Sequence, residues 1–325
     1  MQRIKPCIWV LLQKRLNYNN FYAIVVRVLF GVEHECLNDN FILVIRMHNY
    51  KNLFELIQVA IEKKTGLSRI LTTDEWLLLY EEALKQSVAG VAFEGLQKLP
   101  QEQWPPQALL LQWIGLSEQT RMRNTFLDER CKELLGNLTS SGLHPTILKG
   151  QGVALYYSDA LRMYRQAGDI DVFVCDGRDK AIEFARSIGQ KEIAWDYKHL
   201  HLHLWDDTEV ELHYHVEIMQ NVLRNGKLQK WFRDNESLLY CKNGDLITPT
   251  VEMNLFYVLL HIYRHFFTEG VGLRQLMDYY FVLIASKGIQ PKYANGEGIE
   301  AVLKKFGMWR FAQGIMWIME GKPSF

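Results

Sequence analysis

Two aspartates, Asp169 and Asp171, stand two residues apart in "RQAGDIDVFV" (residues 165–174), inside a run that is otherwise apolar. Ile170, Val172, Phe173 and Val174 read as a buried strand. Alternate residues of a strand share a face, so both carboxylates point the same way, with Cβ atoms about 7 Å apart. Carboxylates that close repel one another unless a cation lies between them, and burial makes an unpaired charge costly. A hard cation with oxygen ligands answers that need, and Mg²⁺ is the usual one beside phosphates. Glu211, in "TEVELHYH", offers a third carboxylate from a second predicted strand, on the face it shares with Glu209 and His213. Three carboxylates on adjacent strands can hold two metal ions about 3.5–4 Å apart for in-line displacement at phosphorus. The competing reading is a half-exposed strand that carries a D-x-D pair and binds nothing.

Upstream, "LKGQG" reads as a strand running into a glycine turn and a helix start. Backbone N–H groups and the helix dipole make such a turn a natural phosphate cradle. Lys149 adds a cation at the turn, and Arg165 lies just before the aspartates.

Several other residues could do chemistry. His199, His201 and His203 alternate on one predicted strand, and His213 and His215 on the next. They suit a transition-metal site, or they form the polar face of an amphipathic hairpin, which is the reading preferred. A three-residue turn would set His203 opposite Glu211, and a two-residue turn would set Leu202 there. His261 and His265 are spaced i, i+4 on a helix without the glutamate of a zinc-protease motif, and read as a packed pair. Arg274 and Asp278 have the same spacing. They either pair with each other or leave Arg274 to hold an anion at the start of its helix.

These residues need elements to position them. "LTTDEWLLLYEEALKQS" has Thr72 and Glu75 in a capping box. "WPPQALLLQW" starts a long helix that runs to the break at "LTSSGLHP". Between 141 and 245 short strands alternate with helices: "TILKGQGVALYY", "DIDVFV", "GRDKAIEFARSIG", then a hairpin of "KHLHLHLW" and "EVELHYHVE" around Asp206 and Asp207. After 246 long apolar helices return. The expected fold is α+β, with a small mixed sheet in residues 141–245 between helical regions at 47–140 and 246–325. Residues 1–46 match the rest poorly. They read as an N-terminal extension, with Met47 as a candidate natural start.

Composition sets outer limits. Lysine plus arginine number 37, equal to aspartate plus glutamate, so bulk charge gives no argument for nucleic acid. The five cysteines are scattered without CxxC spacing, which suits a reducing compartment and argues against a disulfide framework. No segment is apolar for long enough to be a membrane helix. The expectation is a cytoplasmic protein with no membrane partner.

The quoted motifs, together with "HIYRHFFTEGVGLRQLMDYY", resemble the DNA polymerase beta-like nucleotidyltransferase superfamily. More closely, they resemble a bacterial branch of uncharacterised nucleotidyltransferases with LKG, R-x-x-G-D-I-D and E-[IL]-H motifs. The likeness runs from about Leu53 to Met319. It implies a Mg²⁺-dependent enzyme, using two ions, that transfers a nucleoside monophosphate from an NTP to an acceptor, whether small molecule, RNA or protein. It implies Asp169, Asp171 and Glu211 as catalytic metal ligands, and Lys149, Gly150, Gln151, Arg165 and Arg274 around the nucleotide. Gln151 stands where the superfamily has serine. The family also continues past residue 325, so "EGKPSF" reads as an abrupt end. Two other readings are a catalytically silent nucleotide-binding or interaction protein on the same fold, and a histidine-rich metal binder unrelated to NTP.

Overall fold

The computed structural model describes residues 40–319. The expected extension therefore lies largely outside the described residues, as does the chain end. Helix α1 (Asn40–Ala60) runs through Met47. The capping box forms at the start of α2 (Thr73–Lys85), where Thr72 Oγ1 accepts from Glu75 N and Glu75 Oε2 accepts from Thr72 N. After α3 (Ala89–Gln97) and Pro106 comes α4 (Gln107–Ser140), a helix of 34 residues. Leu109, Trp113, Ser117, Asn124, Leu127, Cys131, Leu134 and Leu138 form one buried stripe along it at helical spacing.

Strand β1 (Pro145–Ile147) leads to the short helices α5 (Gln151–Ala154) and α6 (Asp159–Tyr164), then to β2 (Ile170–Val174). Helix α7 (Arg178–Ser187) is followed by β3 (His199–Trp205) and β4 (Thr208–His213). The sheet is mixed, with order β1-β2-β4-β3, and only β2 and β4 run parallel. This is the expected α+β arrangement of a small mixed sheet flanked by helices.

The hairpin turn has the two residues Asp206 and Asp207, since Trp205 pairs with Thr208. A bulge between Leu202 and Trp205 then shifts the pairing by one residue. His201, not Leu202 or His203, therefore lies opposite Glu211, and His199 lies opposite His213. A one-residue shift exchanges the two faces of a strand, and here it brings histidines onto the carboxylate face.

Helix α8 (Val222–Asp234) and the small hairpin β5 (Cys241–Asn243) and β6 (Leu246–Thr248) have no counterpart in the sequence reading. The chain then forms α9 (Val251–Thr268), α10 (Leu273–Ala285), α11 (Ile299–Lys305) and α12 (Trp309–Met319). The buried apolar residues form two clusters. One joins the N-terminal helices to α8–α12, through residues such as Leu56, Trp76, Phe256 and Phe306. The other packs the sheet against α7 and the C-terminal half of α4.

Candidate active site

The parallel pairing of β2 with β4 sets Asp171 directly beside Glu211. Both side chains therefore rise from one sheet face. Asp169 stands just before β2. Leu148 N donates to Asp171 O at 2.9 Å, which extends the β1–β2 pairing and brings Lys149 over the carboxylates. Lys149 Nζ lies 2.8 Å from Asp171 Oδ1. His213 Nε2 lies 2.9 Å from the same oxygen and 3.1 Å from Glu211 Oε2. The cation opposite the aspartates in this structure is thus the chain's own lysine, and His213 bridges two carboxylates.

The charges are strongly interdependent. Burial works against ionisation of Asp171, but Lys149 and His213 hold its carboxyl well below the usual carboxylate range. Burial disfavours the Lys149 ammonium too, yet Asp171, Asp169 and Glu211 together raise its pKa. Asp169 is pushed up, first by the charge of Asp171 and then by burial. Glu211 is lowered: burial and the charge of Asp171 raise it, and His213 and Lys149 together outweigh them. Asp171 Oδ2 is buried and has no hydrogen-bond partner among the described residues.

A cavity of about 240 Å³ opens beside these groups, lined among others by Lys149, Gly150, Arg165, Asp169, Asp171 and Arg274. Gly150 has φ +56°, which favours glycine, and an added Cβ would stand 3.4 Å from Asp169 O. The turn thus brings the backbone against the aspartates. Helix α5 is a single turn, and Gly152 lies inside it rather than in the turn. Gln151 is engaged elsewhere. Its Nε2 donates to Asp128 Oδ1 at 2.7 Å, it is 4% exposed, and it does not line the cavity.

Arg165 and Arg274 reach the cavity from different directions. Arg165 is buried and forms a two-point contact with Asp278, Nε to Oδ1 at 2.7 Å and Nη2 to Oδ2 at 2.8 Å. Tyr157 donates to the same Oδ1 at 2.8 Å. Asp278 therefore pairs with Arg165 and not with Arg274. Arg165 Nη1 remains buried without a partner among the described residues. Arg274 is in the first turn of α10, as expected, and its Nη1 donates to Gln166 O at 3.2 Å. The helix start is already capped: Leu273 N donates to Gln86 Oε1 and Gly272 N to Gln275 Oε1. An anion there would meet the guanidinium more readily than the backbone N–H groups.

The histidines divide. His203 is exposed, as a polar hairpin face requires, but His213 is fully buried between carboxylates, so that reading fails for it. His261 and His265 pack with ring centroids 4.3 Å apart and both line the cavity. His261 Nδ1 lies 3.0 Å from Glu217 Oε2. The sequence reading missed Glu217. It is 0% exposed and also meets Lys198 at 3.1 Å and Arg264 at 3.3 Å. The signal was available in "HVEIM", a carboxylate in an apolar run like that of the aspartates.

A family comparison covers the residues of this site. The model of a family described as uncharacterised nucleotidyltransferase matches residues 72–319, a span that includes every residue of the cavity. No curated protein and no solved structure matches the chain. Since the family match covers most of the length, the chain belongs to the uncharacterised nucleotidyltransferases, and nucleotidyl transfer is the class of chemistry that this membership brings with it.

Proposed function

We propose that the protein transfers a nucleoside monophosphate from an NTP to an acceptor, a small molecule, RNA or protein, with Mg²⁺ as the metal. The observation that carries this reading is the in-register pair Asp171 and Glu211, with Asp169 beside them, against a cavity that also holds Lys149, Arg165 and Arg274. The donor set fits the ion: three carboxylates supply only oxygen, and Asp171 Oδ2 has no hydrogen-bond partner among the described residues. Asp169, Asp171 and Glu211 would hold it, and bound Mg²⁺ would polarise the α-phosphate and orient the acceptor oxygen.

The chain's own residues do the rest. Gly150 lets the backbone approach the phosphates. Arg165 Nη1 is a buried donor without a partner among the described residues, and Arg274 presents a second guanidinium to the same space. Lys149 competes with a metal ion for Asp171, so its ammonium is available to phosphate oxygens when the aspartates are otherwise neutralised. Residues 141–245 act as the catalytic core, framed by the helical regions 47–140 and 246–325. A silent nucleotide binder is the second reading. It is favoured by the pairing of Asp171 with Lys149 and His213, which compensates its charge without a metal.

The test is incubation of the protein with each α-labelled NTP, Mg²⁺ and a cell extract. The expected result is a labelled product that Asp169→Asn does not form. Arg274→Lys is expected to bind Mg-NTP about tenfold more weakly, because a two-point contact becomes a single one. Binding of Mg-NTP without product would favour the silent reading, and no binding at all would dismiss both.

A further inference from the structure

Beyond Glu211 the same sheet face carries a second set of ligating groups that the cavity does not use. Strand β3 is the sheet edge, and its bulge sets His199 and His201 opposite His213 and Glu211. The rings of His199 and His201 are 4.8 Å apart, edge to face. The two oxygens of Glu211 serve different neighbours. Oε2 lies 3.1 Å from His213 Nε2, toward Asp171, while Oε1 lies 3.6 Å from His199 Nε2, toward the edge strand. His199, His201 and Glu211 each offer a ligand atom within 4.8 Å of the others, and none of the three lines the cavity.

Among the described residues, little else engages the ring nitrogens of these imidazoles. The side chain of His199 is only 12% exposed, and its Nδ1 is buried without a hydrogen-bond partner among the described residues. Asp196 Oδ1, at 3.7 Å, is too far to bond it. His201 Nδ1 lies 3.3 Å from the exposed Glu209, a contact open to solvent and worth little.

We propose that His199, His201 and Glu211 form a binding site for a divalent transition-metal ion, best suited to zinc. Imidazole nitrogen suits zinc and its neighbours, whereas Mg²⁺ prefers oxygen. Two histidines and one carboxylate make a tetrahedral zinc set with one position left open. Bonds of about 2.0–2.2 Å place tetrahedral ligands about 3.4 Å apart. His199 and Glu211 already stand near that spacing, and the more exposed His201 closes the rest. The proposal does not depend on nucleotidyl transfer, because it concerns the outer side of Glu211.

The experiment uses untagged, metal-stripped protein titrated with Zn²⁺ against a chromophoric chelator, with excess Mg²⁺ present to fill the carboxylate side. Wild type is expected to bind zinc stoichiometrically with sub-micromolar affinity. Asp169→Asn is expected to bind it equally well. The double variant His199→Gln/His201→Gln is expected to bind on the order of a hundredfold more weakly. His201→Gln alone removes no buried group and is expected to weaken binding as well, which keeps the test decisive if the double variant folds poorly. Three results overturn the site: no zinc uptake by wild type, unchanged affinity in the histidine variants, or equal loss in Asp169→Asn, which would put zinc at the aspartates.

Discussion

Asp171 receives both Lys149 and His213 on Oδ1, and its Oδ2 has no hydrogen-bond partner among the described residues. Lys149 is therefore an internal counter-ion for a crowded carboxylate group. Replacing it, as in Lys149→Met, leaves Asp169, Asp171 and Glu211 facing one another. The expected cost is about 3 kcal/mol, since one partner of a buried ion pair is removed, and Mg²⁺ should recover part of it. Thermal melts with and without Mg²⁺ check this, and a melting temperature that Mg²⁺ leaves unmoved in the variant counts against the aspartates as ligands. The D-x-D pair and Glu211 were legible in the sequence because a period of two fixes their faces, and Lys149 because it stands at a glycine turn. What Lys149 does with its charge was not legible. It depends on β1 lying beside β2, a pairing between segments more than twenty residues apart.

Helices α9 and α10 wall the cavity, and each reaches it through a buried titratable side chain. On α10, Asp278 holds Arg165 at two points and so fixes the loop that presents Asp169. Asp278→Asn should cost about 3–5 kcal/mol, because the Arg165 guanidinium stays buried without its counter-ion. The apolar pair Arg165→Met/Asp278→Leu should cost less, and urea midpoints decide between them. On α9, burial and then the charge of Lys149 push His261 down to about 3. An unfolded histidine titrates near pH 6.5, so between these values the unfolded chain binds the extra proton. The contribution of His261 is fully present above about pH 6.5 and is lost as the pH falls toward 3. Glu217, whose pKa is depressed, adds a contribution that is lost as the pH falls through the ordinary carboxylate range and below, so the interval above about pH 5 isolates His261. His261→Gln keeps an N–H for Glu217 and does not titrate. Its melting temperature should fall less than that of wild type between about pH 6.5 and pH 5, and parallel curves would reject the assignment. The spacing of Arg274 and Asp278 allowed either a local pair or a free Arg274, and the partner of Asp278 came from 113 residues away. Local spacing says which contacts an isolated helix can make, not which ones the fold prefers. The hairpin shows the same limit: its place around Asp206 and Asp207 was readable, but the turn length and the bulge that decides the register were not.

At the scale of the molecule, the helices before and after the sheet share one apolar cluster, while the sheet has its own. Apart from α8, β5 and β6, the order of the main elements was visible in hydrophobic periodicity. That the two helical regions share a core was not, since only long-range contacts join them. Helix α4 belongs to both clusters, with Leu109 and Trp113 in one and Leu127, Leu134 and Leu138 in the other. Leu134→Ala, at a fully buried position, should cost about 2–5 kcal/mol. Trp76 and Trp113 lie in the other cluster, yet their fluorescence should report the same shifted midpoint as circular dichroism. Two separate transitions would mean that α4 does not couple the cores. Asn124, between the two sets, donates from Nδ2 to Met163 O at 2.7 Å and to Arg165 O at 2.8 Å, so the motif loop hangs from the middle of this helix. A single buried stripe that serves two cores is a constraint of phase. One residue inserted between Trp113 and Leu127 would turn everything downstream by about 100°, swinging the sheet cluster and the loop away from the upstream core. Seven inserted residues would nearly restore the angle, but would move the two cores about 10 Å apart. Relatives that keep both cores should therefore vary in the turns around the sheet and hold the length of this segment of α4 fixed.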